Sequence, residues 1–180
     1  MAFDRVIAGC SVIDDPGAES KVHQGVTTDV VGNCGSSPYP AGLLTPEELQ
    51  RVAPISVIDD APTPYQWTDF NGWAERVEGV GVSMNLVSQV GHSVLRQAAR
   101  ATQNRPANEE ELGVMKRLVA ESVEQGAIAL TTALTGPPAM AAPASEIASS
   151  DGAGSSPASS SIAGPTSMCW HSPPISTPAG

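Results

Sequence analysis

The sequence has few of the residues that mark several common classes of protein. Only 9 of its 180 residues are Lys or Arg, against 19 Asp and Glu, and no basic run is interleaved with aromatic residues. A nucleic-acid partner is therefore not expected. No apolar run approaches the roughly 18 residues of a membrane-spanning helix, and the first residues lack the pattern of a secretory signal. We expect no membrane partner and a cytoplasmic location.

Cysteine is also scarce. The chain has three, Cys10, Cys34 and Cys169, at widely separated positions. This number is too small for a disulfide framework, so the sequence predicts reduced thiols or a metal ligand.

The composition changes sharply at about residue 137. Before it, apolar, charged and turn residues are mixed as in a folded domain. Residues 137–180 contain eight prolines and eleven serines but only two charged residues, Glu146 and Asp151. Such a segment lacks the apolar surface needed to offset the entropy of ordering it. We therefore predict a disordered, low-complexity Ser/Pro/Ala tail over residues 137–180.

Within the first part, segments typical of strands alternate with segments typical of helices. The alternating order favours an α/β fold with a parallel sheet, as in a barrel or an open sheet. A complete eight-stranded barrel usually needs about 250 residues, more than this chain has. Strands are predicted at residues 25–32, 84–90 and 127–132, and helices at 67–77 and 109–125.

The helix at 109–125 has the clearest signals. Asn108 is placed to cap it, Glu111 follows at the capping-box position, and Gly126 supplies a C-terminal stop. In the earlier helix, the aromatic side chains are predicted to anchor it rather than to bind a ligand. One stripe of the later helix should face a core: Leu112, Met115, Val119 and Val123.

Two side chains stand at predicted strand ends, where a parallel sheet collects its chemistry. Cys34 follows the first strand, between Gly32-Asn33 and Gly35, and His92 follows the second. Glycines let the backbone turn sharply, and a thiolate on such a turn can bind zinc. The alternative for Cys34 is a small apolar thiol that fills space. For His92 it is a structural hydrogen-bonding residue.

Residues 21–35 carry a more specific signal. Their sequence, K-V-H-Q-G-V-T-T-D-V-V-G-N-C-G, resembles the segment K-x-x-Q-G-V-T-T-x-V-x-G-N-C-G of the D-aminoacylases and related N-acyl-D-amino-acid deacylases. These enzymes are metal-dependent amidohydrolases. Residues 90–96 resemble the family's V-G-H-S-x-L-R, and residues 110–128 resemble its E-E-L-x-x-M … G-A-x-G helix and strand. Residues 3–14 are similar to the first strands of its small N-terminal β-domain.

The resemblance implies a fold and a function. The fold would be a partial (β/α)8, TIM-like amidohydrolase barrel over residues 16–136, with a remnant of the N-terminal β-sandwich over residues 1–15. The reaction would be zinc-dependent hydrolysis of a non-peptide amide bond, with a small-molecule N-acyl-D-amino acid as substrate. By the resemblance Cys34 is a zinc ligand, and His92 is a candidate for the substrate pocket. The catalytic residue is not identified.

The chain also departs from the family pattern. The family places an H-x-H or H-x-D pair shortly before the Q-G-V-T-T segment, and no such pair occurs here. We hypothesise an internal deletion near residue 16 and a frameshift after about residue 147, which translation of the alternative reading frames would test. Because further ligands and the catalytic aspartate would then be missing, we expect this chain to be inactive. The alternative is a non-catalytic α/β remnant or interaction domain.

Overall fold

A computed structural model describes residues 16–48 and 67–151 of the chain. The predicted β-sandwich remnant at 1–15 and the last part of the predicted tail, 152–180, lie outside the described residues. In the described ranges, no helix has both the length and the apolar character needed to cross a bilayer. The helices are α1 (Glu19–Val22), α2 (Phe70–Val80), α3 (His92–Ala98), α4 (Glu109–Gln125) and α5 (Ala144–Asp151); the strands are β1 (Thr28–Val31), β2 (Asn85–Ser88), β3 (Val90–Gly91) and β4 (Leu130–Thr131), and a 3-10 turn lies at Ala139–Ala141.

The strands pair in parallel, as the sequence predicts. β1 pairs with β2, with Val31 opposite Ser88, and β3 pairs with β4, with Val90 opposite Leu130. The pairs form two two-stranded sheets, and only Gln89 separates β2 of the first from β3 of the second. The strand predicted at 84–90 is divided between β2 and β3, and the other two strands are shorter than predicted. Hydrophobic periodicity marks an extended segment and not where its ladder begins and ends. The prediction of an α/β chain with a parallel sheet is confirmed.

Helix α4 matches its prediction at both ends. The Asn108 side chain accepts from the backbone N–H of Glu111 at 2.8 Å, and the Glu111 carboxylate accepts from the backbone N–H of Asn108 at 2.8 Å. Met115 and Val119 of the predicted stripe are buried. Gly126 ends the helix with a positive φ of 131°. Local signals alone therefore place this helix.

We expect the Asn108→Ala variant to unfold with a free energy about 1 kcal/mol lower than the parent chain, because it loses the N-terminal cap of α4. Urea unfolding followed by circular dichroism measures the change. Asn71→Ala is the matched control, since Asn71 is an exposed helical residue of α2 where alanine improves helix propensity. Equal midpoints for the two variants would contradict the prediction.

The aromatic residues of α2 and the segment before it form part of the core. The Trp67 indole N–H donates to the carbonyl of Pro38 at 2.8 Å. The rings of Phe70 and Trp73 pack against Tyr39, with centroids 5.3 and 5.6 Å from it. These contacts confirm that the aromatic side chains anchor a helix. The core lies between the strands and helices α2, α3 and α4, where Val90, Leu95, Met115 and Val119 are buried.

Helix α3 follows β3 without an intervening loop, and no local signal in the sequence predicts it. Its N-cap is Gly91, which has no side chain to accept a hydrogen bond from the first turn. A helix start is recognised in sequence by a capping side chain. Without such a side chain, the sequence predicts a loop after the strand instead of a helix.

The structure corrects the predicted start of the disordered tail. Residues 139–151 contain the 3-10 turn and α5, and Ala139, Glu146 and Ser150 are buried. Composition alone suggested that this segment could not offset the entropy of ordering. Glu146 makes a buried ionic contact with Arg96, which links this segment to α3.

Candidate functional site

β1 ends in a tight turn that carries Cys34 on its surface. Gly32 has a φ of +91°, and a Cβ added there would lie 2.2 Å from the backbone oxygen of Gln89. Cys34 also lies in the left-handed region, with a φ of 57°. The Asn33 side-chain amide donates to the carbonyl of Val30 at 2.9 Å. These contacts define the backbone of the turn, and Cys34 is exposed.

Cys34 is disulfide-bonded in this structure. The described residues contain no other cysteine. The prediction of a reduced thiol is therefore wrong for this state of the chain. A thiolate is the form of cysteine that binds metal, so the predicted role of Cys34 as a zinc ligand applies to the reduced chain.

The ends of the parallel strands meet at the Cys34 turn. The Thr131 hydroxyl at the end of β4 donates to the carbonyl of Gly32 at 2.5 Å. The backbone N–H of Ser93, in α3, donates to the carbonyl of Gly35 at 2.9 Å. The sequence predicted that loops at the carboxyl ends of the strands would converge, and these contacts bring them together.

His92 is fully buried at the first position of α3. Its Nε2 lies 3.1 Å from a carboxylate oxygen of Glu146, and its Nδ1 lies 3.1 Å from the Thr132 hydroxyl. Burial lowers the pKa of His92 below 6.5, although the carboxylate acts in the opposite direction. The neutral ring therefore carries its proton on Nε2, which donates to the carboxylate, while the Thr132 hydroxyl donates to Nδ1.

Glu146 is buried at the centre of this arrangement. One carboxylate oxygen accepts from Arg96 Nη1, and the other accepts from the backbone N–H of Ala107 at 2.8 Å. Burial raises the pKa of Glu146, but the Ala107 amide and Arg96 outweigh it and hold the pKa below 4.5. Arg96 Nη2 donates to the carbonyl of Arg105 at 2.8 Å. We call the four side chains the Glu146 cluster: His92, Arg96, Thr132 and Glu146.

A cavity of about 400 Å³ lies elsewhere, beside α4. Neither Cys34 nor His92 lines it. The exposed Arg117 and Glu121 at its edge lie 3.6 Å apart, one helical turn from each other. The cavity is therefore separate from the strand ends where the sequence predicted chemistry. Its lining includes Pro40, Gly42, Asp69 and Gln125.

Comparisons of the sequence find relatives among the deacylases. No family model matches the chain. Over 127 residues the chain is 35% identical to the D-aminoacylase of Alcaligenes xylosoxydans xylosoxydans, an alignment that covers 71% of this chain and 25% of the relative. It is 31% identical over 135 residues to the N-acyl-D-glutamate deacylase of the same organism, covering 75% and 26%. The chain thus spans about a quarter of the length of these curated relatives.

Comparisons of the fold agree with those of the sequence. A crystal structure of D-aminoacylase, described as defining a novel subset of amidohydrolases, superposes with a TM-score of 0.67 at 30% identity. The superposition covers 79% of this chain and 29% of the D-aminoacylase. The chain matches part of a D-aminoacylase-type amidohydrolase. The N-acyl-D-glutamate deacylase from Bordetella bronchiseptica, complexed with zinc and a phosphonate inhibitor, superposes with a TM-score of 0.62 at 28% identity, covering 77% and 28%.

The D-aminoacylase resemblance implies a metal, and the described residues do not fit a complete metal site. Residues 16–48 and 67–151 contain no group of three or more His, Cys, Asp and Glu side chains placed to hold an ion. A zinc site requires three or four protein ligands. Cys34 is exposed, whereas His92 is buried with both ring nitrogens bonded to neighbouring side chains. The structure therefore does not bring the two predicted site residues together as ligands.

Glu146 is buried, although it lies in the segment for which composition predicts disorder. Its partners lie far away in the chain, so no local pattern reports them. The one signal was its isolation, since it and Asp151 are the only charged residues after position 136. An isolated carboxylate in an Ala/Ser/Pro segment is therefore a candidate partner for a buried cation elsewhere in the chain.

Proposed function

We propose that this chain supplies part of the barrel of an N-acyl-D-amino-acid deacylase-like amidohydrolase. In this proposal residues 16–136 form part of a (β/α)8 barrel, and the complete protein hydrolyses the amide bond of a small N-acyl-D-amino acid. The observation that carries it is the Gly32-to-Gly35 turn at the end of the parallel strand β1. Support comes from the 35% identity to a D-aminoacylase over the surrounding 127 residues.

The proposal gives Cys34 one role, that of a single zinc ligand in the reduced chain. Its exposure on the turn makes the sulfur accessible once the disulfide is reduced. Zinc accepts thiolate ligands readily. The described residues supply no further ligand group, so we derive no catalytic step from them. His92 remains a candidate for the substrate pocket, but its two hydrogen bonds favour a structural role.

The incomplete ligand set favours a second candidate for the chain by itself, a non-catalytic α/β protein or interaction domain. The two candidates differ in what happens at Cys34. A deacylase barrel segment retains a cysteine that binds metal, whereas a non-catalytic domain has no need of one.

We expect the reduced 180-residue chain to bind Cd²⁺, used as a spectroscopic substitute for Zn²⁺, through Cys34. The thiolate-to-cadmium absorption in the ultraviolet should be present in the parent chain and strongly reduced in Cys34→Ser. Cys10→Ser and Cys169→Ser are the matched controls, and both should keep the Cys34 signal. Cadmium binding that is unchanged in Cys34→Ser would contradict the ligand role and favour the non-catalytic candidate.

The same reduced chain, supplied with Zn²⁺, is expected to show no hydrolysis of N-acetyl-D-amino acids above a zinc-only blank, because three or four protein ligands are needed for a zinc site. Release of the free amino acid measures the reaction. Hydrolysis that disappears in Cys34→Ser would show that the chain is an active deacylase and would contradict the expected inactivity.

A further inference from the structure

Helix α5 has little apolar surface with which to pack. Its sequence is A-S-E-I-A-S-S-D, in which Ile147 is half-buried and the two deeply buried side chains, Glu146 and Ser150, are polar. The Ser150 hydroxyl donates to the carbonyl of Glu146 within the helix itself, at 2.9 Å. Hydrophobic burial alone is therefore a weak force for holding α5 in place.

The Glu146 carboxylate joins α5 to two other parts of the chain. It accepts from Arg96 and His92, both on α3. It also accepts from the backbone N–H of Ala107, in the segment before α4. The ionised carboxylate is the acceptor in all three contacts. The charge state of one side chain thus affects the three contacts by which Glu146 joins α5 to α3 and to residue 107.

We propose that Glu146 is a pH-sensitive switch for the docking of α5: the ionised carboxylate ties α5, which packs beside α4, to Arg96 and His92 of α3, and its protonation releases α5 while α4 stays folded. This proposal is independent of the proposed deacylase function, because it concerns contacts within the chain alone.

The physical reason is the charge of Arg96. Its side chain is fully buried, and Glu146 is the carboxylate that faces it at hydrogen-bond distance. A neutral Glu146 would leave a buried guanidinium without a counter-charge, which is costly in a protein interior. Movement of α5 lets water reach Arg96 and removes this cost.

Other charged groups near the cluster do not replace Glu146. Glu111, on α4, contributes to the field around Arg96, but it is held by Arg105 through two hydrogen bonds of 2.7 Å each. Thr132, on the remaining side of His92, does not titrate. His92 is the second titratable group in contact with the carboxylate.

The direction of the pH effect follows from these groups. The docked state holds the pKa of Glu146 below 4.5, so docking is favoured above that value and is lost as the pH falls through the docked-state pKa. Burial also lowers the pKa of His92 below 6.5. The released state therefore takes up a proton on His92 first, and docking begins to weaken below pH 6.5 and weakens further when Glu146 is protonated.

Amide hydrogen exchange, followed by NMR and corrected for the intrinsic rate at each pH, tests the proposal. The Ala107 amide reports the contact directly, because it donates to the carboxylate. We expect the protection of Ala107 and of the α5 amides to fall by about tenfold or more between about pH 7 and about pH 3, while the amides of α4 stay protected. In Glu146→Gln, the same amides should be weakly protected even at neutral pH. Glu121→Gln, which removes an exposed carboxylate of α4, should behave as the parent chain.

His92→Gln separates the two titrating groups. If the loss of protection in acid persists in this variant, it belongs to Glu146, and if it disappears, Glu146 is not the switch. Simultaneous loss of α4 and α5 protection in the parent chain would overturn the proposal, as would full protection of Ala107 in Glu146→Gln at neutral pH. Should Glu146→Gln fail to fold, the titrations of the parent chain and His92→Gln decide the question alone.

Discussion

Replacing Arg96 by methionine is expected to lower the free energy of unfolding by about 3–5 kcal/mol, because it leaves the buried Glu146 carboxylate without its counter-charge. The substitution also removes a donor from the carbonyl of Arg105. Methionine roughly preserves the length of the side chain, so the loss reflects charge more than volume. Urea unfolding of the parent chain and the variant at neutral pH measures the effect.

A double-mutant cycle identifies the source of this loss. In Arg96→Met combined with Glu146→Gln, no charge remains buried, and the new amide oxygen can still accept from Ala107. We expect the double variant to be more stable than Arg96→Met alone, which would give a coupling energy of about 1–3 kcal/mol between the two positions. Additive effects of the two substitutions would mean that the charges do not interact and would contradict the account of the Glu146 cluster.

The second large effect is expected at Gly32. We expect Gly32→Ala to lower the free energy of unfolding by about 3 kcal/mol, because alanine is strained at a positive φ and its Cβ would strike backbone atoms that cannot move independently. The first atom that it would meet is the backbone oxygen of Gln89, at 2.2 Å. Thermal unfolding measures the change.

Gly113→Ala is the matched control for that substitution. Gly113 lies within α4, and a Cβ added there would meet nothing within 4 Å. Alanine should therefore stabilise the helix by up to about 1 kcal/mol. The account of the turn would be wrong if the two glycine variants changed the unfolding temperature in the same direction.

The elements that the sequence predicted well are those with local signals. Helix α4 begins and ends as predicted because Asn108, Glu111 and Gly126 act within a few residues of the helix. The parallel pairing followed from the order of the elements, since parallel strands need a crossover between them. Helix α3 has no capping side chain at its start. The sequence there therefore contains no local signal from which the helix could be predicted.

The candidate site divides in the same way. The glycine-rich turn was visible in the sequence because its residues are contiguous. The Glu146 cluster was not, because Glu146 lies 50 residues from Arg96 and 54 from His92. Composition described the segment around Glu146 as one without apolar surface, which is correct, and predicted disorder, which is wrong for residues 139–151. Composition does not report the long-range contacts that this segment makes, such as those of Glu146 with Arg96, His92 and Ala107.

The separation of these residues along the chain also bears on synthesis. Arg96 and His92 precede Glu146 by 50 and 54 residues, so α3 is synthesised before the carboxylate that neutralises Arg96. Until then, Arg96 must remain in contact with water to avoid the cost of an unpaired buried charge. Burial of Arg96 in its paired form therefore requires the chain to be complete through residue 146.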